Sequence, residues 1–286
     1  MSLPLINTRS AETDRSDKES EMYFKAGFIG CGNMGGALAR ATAKAIGGDQ
    51  IAICDYDVQK TNTLKEEISA TPIDANELIN FSDFIFLGIK PQMMETAVAP
   101  LVEAINSKGC TVITMAAGLG IDYFENGLGI TCPIIRIMPN TPCSVGEGMI
   151  LYSCNSKVNS DIEKEFLKML SRAGKLDKIP ESLIDAASTV SGCGPAFAAI
   201  FAEALADAAV ACGVPRDKAL LYSAQMIKGT ADLILSGEHP AVLKDKVCSP
   251  GGTTIAGVKA LENFGFRAAA MNAVSDAYNR TLELKK

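Results

Sequence analysis

The chain has a single histidine, no C-x-x-C pair and no run of about 18 residues free of charge, the length a membrane span needs. Each absence closes a class of function. His239 precedes a proline and has only Glu238 beside it, so it reads as a turn or cap residue, not half of an acid–base pair. No cluster with metal-ligand spacing is found, and no metal is expected. The nine cysteines are scattered, which suggests reduced thiols in a cytoplasmic protein, not a disulfide frame or a zinc site. The longest apolar run, Ala196 to Val214, carries Glu203 and Asp207, so no membrane partner is expected. There is no long basic run and the formal net charge is −6, which argues against nucleic acid. Residues 1–21 are polar, mixed in charge and without the apolar core of a secretory signal. They read as a disordered extension outside the fold.

At 286 residues, with 48% hydrophobic and 21% charged, the chain has room for two domains and a large core. Strands are expected at Phe24–Ile29, Ile51–Cys54, Asp83–Ile89, Thr111–Met115 and Ile134–Ile137. Helices are expected at Asn33–Ile46 and over 93–105. The alternation implies a doubly wound, mostly parallel α/β sheet of the Rossmann type with helices on both faces. After about Pro180 no convincing strand is found. Helical stretches are expected over 195–212, 216–236, 240–247, 253–263 and 266–284, parted by Gly213-Val214-Pro215 and Gly265. The division is therefore a dinucleotide-binding domain over 22–180 and an all-α domain over 181–286.

The stretch 195–212 is almost wholly apolar, with Glu203 and Asp207 four apart on one face. A helix apolar on nearly all sides must be covered on nearly all sides. A domain of roughly 100 residues has little interior for that. Burial between subunits is the simpler solution, and an obligate homo-oligomer is expected.

Gly30-Cys31-Gly32-Asn33-Met34-Gly35 follows a predicted strand and opens a predicted helix, the context a G-x-G-x-x-G motif needs. Gly30 makes the turn, Gly32 lets a pyrophosphate approach, and Gly35 lets helix and strand close up. Asn33 and Met34 open the helix whose N-terminus faces the phosphates. Asp55 lies at the end of the second strand, about twenty residues on, where a carboxylate bonds the ribose 2′-OH and repels a 2′-phosphate. Tyr56 stands where an arginine would favour NADP. The cofactor is thus NADPH or NADH, with Asp55 leaning toward NADH, though Lys60 or another base could still tolerate NADPH. Lys90, Pro91, Ala117 and Asn140 sit at carboxyl ends of strands, the edge where such sheets bind ligands. Lys90 reads equally as a surface lysine, and Asn140 equally as a turn former.

Ser249-Pro250-Gly251-Gly252-Thr253-Thr254 is a rigid turn running into two hydroxyls and a helical spacing, Ile255, Val258, Leu261. Glycines and a first helical turn offer main-chain N–H groups to a small carboxylate. Ser249, Gly251, Gly252, Thr253 and Thr254 are the substrate-binding candidates.

These motifs converge on a resemblance. Val190-Ser191-Gly192-Cys193-Gly194-Pro195-Ala196, Glu203-Ala204-Leu205, His239-Pro240 and Ser249–Thr254 resemble the pyrroline-5-carboxylate reductases, as do Arg136–Pro142 and the Gly30–Gly35 loop. The resemblance covers about residues 22–284, and its C-terminal block is the specific part. It implies hydride transfer from NAD(P)H to the cyclic imine of 1-pyrroline-5-carboxylate, giving L-proline. It implies a helical domain that dimerises by interlocking helices, with decamers in some members. The family's carboxylate-binding loop falls on Ser249, Gly252 and Thr253, and its imine-facing threonine on Thr254. Hydride addition to an imine needs geometry more than a strong acid, which a hydroxyl at Thr254 satisfies.

Cys193, Cys248 and Lys246 depart from the usual pattern; Lys246 stands where an asparagine is common. The glycine loop also looks like that of 3-hydroxyacid dehydrogenases, which need a lysine on the long helix of the second domain. Ala196–Cys212 contains none. A non-catalytic NAD(P)-binding oligomer is the alternative of another class.

Overall fold

The computed structural model describes residues 22–284, in two compact units that part between Ile184 and Asp185. The extension 1–21 lies outside the described residues. The first unit is built on β1 (Phe24–Ile29), β2 (Ile51–Cys54), β3 (Thr71–Pro72), β4 (Ser82–Leu87), β5 (Thr111–Thr114), β6 (Ile134–Met138), β7 (Gly148–Cys154) and β8 (Gly174–Lys178). They form one sheet in the order β3-β2-β1-β4-β5-β6-β7-β8. All neighbours are parallel except β6 and β7. The link 139–147 is too short for a crossover, so β7 returns antiparallel. Chain order reverses between β1 and β4, which makes that crevice the switch point of the sheet.

Helices cover both faces: α1 (Asn33–Ile46), α2 (Val58–Ile68), α3 (Ala75–Phe81), α4 (Met94–Val98), α5 (Val102–Lys108) and α6 (Ser160–Met169). Strand β4 shows the consequence. Phe84 and Phe86 join one core with Phe28, Leu38 and Phe166, while Ile85 and Leu87 join another with Leu78, Met94 and Phe124. The fully buried rings of Phe28 and Phe86 stack with centroids 4.3 Å apart.

Two expectations are corrected. The helix over 93–105 is broken into α4 and α5, with 3-10 turns at Pro91–Met93 and Ala99–Leu101. Pro100 has no N–H to give and crowds the preceding turn, so the ladder restarts. Strand β4 stops at Leu87; Gly88 still donates to the Ile29 carbonyl at 2.8 Å and lies against Gly30 of the glycine loop.

The second unit is helical, and no strand follows Lys178 among the described residues. α7 (Glu181–Ser191) crosses the division, and α8 (Gly194–Ala211), α9 (Arg216–Leu235), α10 (Pro240–Lys246), α11 (Thr253–Asn263) and α12 (Phe266–Leu284) follow. α8 is apolar apart from Glu203 and Asp207, yet only Ala206 is buried by its own chain. Phe197, Ile200, Phe201, Leu261, Phe266 and Val274 line an open apolar groove of about 710 Å³. By length and composition alone 181–211 is apolar enough to cross a membrane, but it is interrupted at Gly192–Cys193 and carries Glu203 and Asp207.

The Phe28–Phe86 stack joins the two strands of the switch point. Phe86→Ala is expected to cost about 3–5 kcal/mol, read as a lower urea midpoint at unchanged slope.

Candidate active site

The glycine loop sits where β1 runs into α1, and its three glycines are there for different reasons. Gly30 has φ +96°, and a Cβ on it would meet the Gly88 carbonyl oxygen at 2.6 Å. A Cβ on Gly35 would collide with the Gly30 carbonyl oxygen, and so would one on Gly88. Gly32 differs: its φ is −67°, and a Cβ there would meet nothing within 4 Å. Nothing within the unit demands glycine at 32. Open space above that position, at the start of a helix, suits a phosphate that needs the backbone bare. Gly32 is the N-cap of α1, with no side-chain cap and no acid in the first turn, so nothing of the helix's own competes for its first N–H groups.

Asp55 holds this loop in place. It lies one residue beyond β2, with its side chain only 5% exposed. One oxygen accepts the Cys31 N–H at 2.7 Å, and the other accepts the Asp57 N–H at 2.9 Å. The Gly30 N–H donates to the Cys54 carbonyl at 2.8 Å, closing the same corner. The expected ribose reader is thus first a clasp between β2 and the loop, a role that only the folded geometry reveals. The Cys31 thiol inside the loop is pushed up to about 12 by burial first, then by Asp55 and Cys54. It stays a neutral thiol and is no nucleophile at physiological pH.

Other expected residues of this edge divide. Lys90 and Ala117 are exposed, and Pro91 opens a 3-10 turn after Lys90. Asn140 is buried: its Oδ1 accepts the Met149 N–H at 2.9 Å, pinning the 139–148 corner to β7. On β6 the buried Arg136 donates to Glu181 at 3.2 Å, and Glu181 also accepts the Ile121 N–H at 2.7 Å. The first turn of α7 is thereby tied to β6 and to the segment that follows β5. Gly88, Lys60 and Arg136 were not singled out as structural partners by sequence. Gly88 had a signal, a glycine directly after an apolar strand.

In the second unit Ser249–Gly252 forms a tight turn. Gly252 N–H donates to the Ser249 carbonyl at 3.0 Å, Pro250 holds the second position and Gly251 the third with φ +70°. This is the pattern of a type II turn, which requires that glycine. Gly252 is the N-cap of α11, again without a side-chain cap. A Cβ on Gly252 would meet Ser249 Oγ at 2.6 Å, so glycine keeps that hydroxyl in place. Gly252 itself uses its N–H in the turn, which leaves the following N–H groups of α11 as the open donors. The Ser249, Thr253 and Thr254 side chains are exposed and make no hydrogen bond among the described residues. His239 caps α10, its Nδ1 accepting the Ala241 N–H at 3.2 Å. Lys246 Nζ donates to Glu238 at 2.6 Å. No group of three or more possible metal ligands exists among the described residues.

A glycine cradle at the switch point of a parallel sheet, followed by an apolar helical unit, is the build of a dinucleotide-dependent oxidoreductase. Residues 25–118 match the family model described as NADP oxidoreductase, coenzyme F420-dependent, and residues 181–284 match the model described as pyrroline-5-carboxylate reductase dimerisation. The Escherichia coli (strain K12) pyrroline-5-carboxylate reductase is 38% identical over 270 residues, covering 93% of this chain and 100% of the relative. The Synechocystis enzyme of that name is 40% identical over 270 residues, with the same two coverages. The solved Plasmodium falciparum pyrroline carboxylate reductase, with NADP bound, superposes with a TM-score of 0.82 at 32% identity, covering 92% of this chain and 98% of that one. The chain belongs to the pyrroline-5-carboxylate reductase family.

Asp55→Asn leaves one carboxamide oxygen where two main-chain N–H groups need acceptors. Losing one such partner costs about 1–3 kcal/mol. Titration by NADH and NADPH fluorescence is expected to show NADH bound roughly tenfold more weakly and NADPH less affected, since the substitution loosens the loop for both but also removes a charge that repels a 2′-phosphate.

Proposed function

We propose that this protein reduces the imine of 1-pyrroline-5-carboxylate to L-proline with a reduced nicotinamide dinucleotide. The observation that carries the reading is the Ser249–Thr254 corner: a glycine-dependent turn, an uncapped helix start and three unengaged hydroxyls, in a chain of this family. The substrate's carboxylate would be held by the first N–H groups of α11 with the Ser249 and Thr253 hydroxyls. The Thr254 hydroxyl would orient the ring nitrogen. The nitrogen becomes a basic amine and takes its proton from water or arrives protonated, so no strong acid is needed. The nucleotide would lie over Gly32 with its phosphates on the start of α1, in contact range of the 90–91, Ala117 and Asn140 segments. When bound, its reduced nicotinamide supplies the hydride.

Two carboxylates, Asp55 and Asp57, face one ammonium, Lys60, at the ribose corner. That balance favours NADH over NADPH. The bare apolar face of α8 and its groove support a homodimer, and exposed apolar residues beyond it, Phe264 among them, leave surface for a decamer. Nine free thiols fit a cytoplasmic enzyme of proline synthesis without a membrane or nucleic-acid partner.

NADH or NADPH oxidation with pyrroline-5-carboxylate tests the reaction, and no turnover with either nucleotide defeats it. Thr254→Val is expected to lower kcat about tenfold or more with KM little changed. Ser249→Ala is expected to raise KM roughly tenfold, the worth of one hydrogen bond to a carboxylate. Ile200→Asp, on the bare face of α8, is expected to convert the oligomer to monomers in light scattering; a wild-type monomer would contradict the interface.

A further inference from the structure

A carboxylate far along the chain fixes the main chain that leaves β5. Glu181 Oε1 accepts the Ile121 N–H at 2.7 Å and a hydrogen bond from Arg136 at 3.2 Å. A Cβ on Gly120 would meet the same oxygen at 3.1 Å, so the carboxylate lies close against the backbone there. Arg136 has a side chain only 3% exposed and stands in register beside Thr114, the last residue of β5. Ile121 opens a helical turn, so its N–H finds no partner within that turn. Glu181 supplies one from 60 residues away. The stretch it anchors has weak contacts of its own. The Ala116 N–H reaches Thr114 Oγ1 and the Leu119 N–H reaches the Ala116 carbonyl, each at 3.4 Å. Both exceed the usual length of such a bond. Gly118 takes a left-handed φ of +79°, and a Cβ there would touch nothing within 4 Å. Residues 115–120 thus form an arch whose far foot is clamped by Glu181.

We propose that Glu181 is a positioning residue for the nicotinamide end of the nucleotide: it touches neither cofactor nor substrate, and acts by fixing the arch that carries Ala117. The proposal rests on the nucleotide reading above, in which the dinucleotide passes Ala117 at the carboxyl end of β5. The other end of the ligand is served by different parts, the glycine loop and Asp55, and Glu181 has no hydrogen bond to either. Its loss therefore acts on one end only. The Glu181 side chain is 33% exposed, so water can replace it at the Ile121 N–H. The fold then survives while the arch loosens, and the nucleotide must order that segment as it binds.

The test uses the full-length protein and two readouts besides activity. In hydrogen exchange of the unliganded protein, Glu181→Ala is expected to speed exchange over 116–122 about tenfold or more, with the 30–36 loop unchanged. In calorimetric titration the same variant is expected to bind NADH roughly tenfold more weakly, the worth of one hydrogen bond, while ADP-ribose, which lacks the nicotinamide, stays within about twofold. Glu181→Gln keeps an oxygen for the Ile121 N–H and is expected to recover most of the NADH affinity. An equal loss for NADH and ADP-ribose would make Glu181 a general folding residue. Unchanged exchange would show that the arch holds itself, and unchanged NADH affinity would separate the arch from the nucleotide. A glutamine variant as weak as the alanine one would place the effect on the Arg136 charge and not on the Ile121 clamp. Each of these four results overturns the proposal. A wild-type protein that bound neither NADH nor ADP-ribose would defeat the nucleotide reading and the proposal with it. None of the measurements involves an imine, so a protein that behaved as expected but did not reduce pyrroline-5-carboxylate would defeat the reductase reading and leave Glu181 its role.

Discussion

One carbonyl group organises the nucleotide half of this protein. The Gly30 oxygen lies so close to the α-carbons of Gly35 and Gly88 that neither could carry a side chain. Three segments, the end of β1, the start of α1 and the exit of β4, therefore pass each other at backbone distance. That approach sets where α1 begins and leaves Gly32 facing open space. Asp55 then fastens the loop from the β2 side by taking the Cys31 N–H. The cradle is rigid because its walls are main chain, and main chain offers N–H groups without the entropy of ordering a side chain.

The two units meet their need for burial in different ways. The sheet unit is complete within itself, with a core on each face and every central strand covered. The helical unit is not. A helix as apolar as α8 with a single buried residue is stable only when another surface covers it. The family model for that region is one of dimerisation, which supports association of copies of this chain. The sheet unit can thus offer a finished edge to a nucleotide, while the helical layer is completed only by association.

Much of this was legible from the residues, and the exceptions have physical reasons. Strands β1, β2, β4, β5 and β6 announce themselves because they are buried on both faces and so read as apolar runs. α2 and β8 do not, since Val58–Ile68 buries only Thr61 and Leu64, and Gly174–Lys178 is an edge strand of mixed charge. Their places are set by capping at Asp57 and by pairing with β7, which are tertiary facts. The glycine loop and the Ser249–Thr254 turn were readable because backbone geometry leaves a residue-type signature. The partner of Asp55 was not, because a carboxylate that clasps a loop and one that reads a ribose occupy the same place in a sequence.

At the corner proposed to hold the substrate, charge is used sparingly. Its donors are neutral: helix N–H groups and hydroxyls, with no arginine or lysine in the turn itself. Lys246, the one charged departure from the usual pattern, pairs with Glu238, which fastens the end of α10 to the residue before its N-cap. A neutral corner suits a substrate that is an anion at one end and, once its nitrogen is protonated, a cation at the other. A fixed positive charge would strengthen the grip on the carboxylate and at the same time oppose protonation of the nitrogen a few bonds away. Neutral, oriented donors hold the first without penalising the second. On that proposal, a turn built on Gly251 and Gly252 suits the substrate better than a basic side chain would.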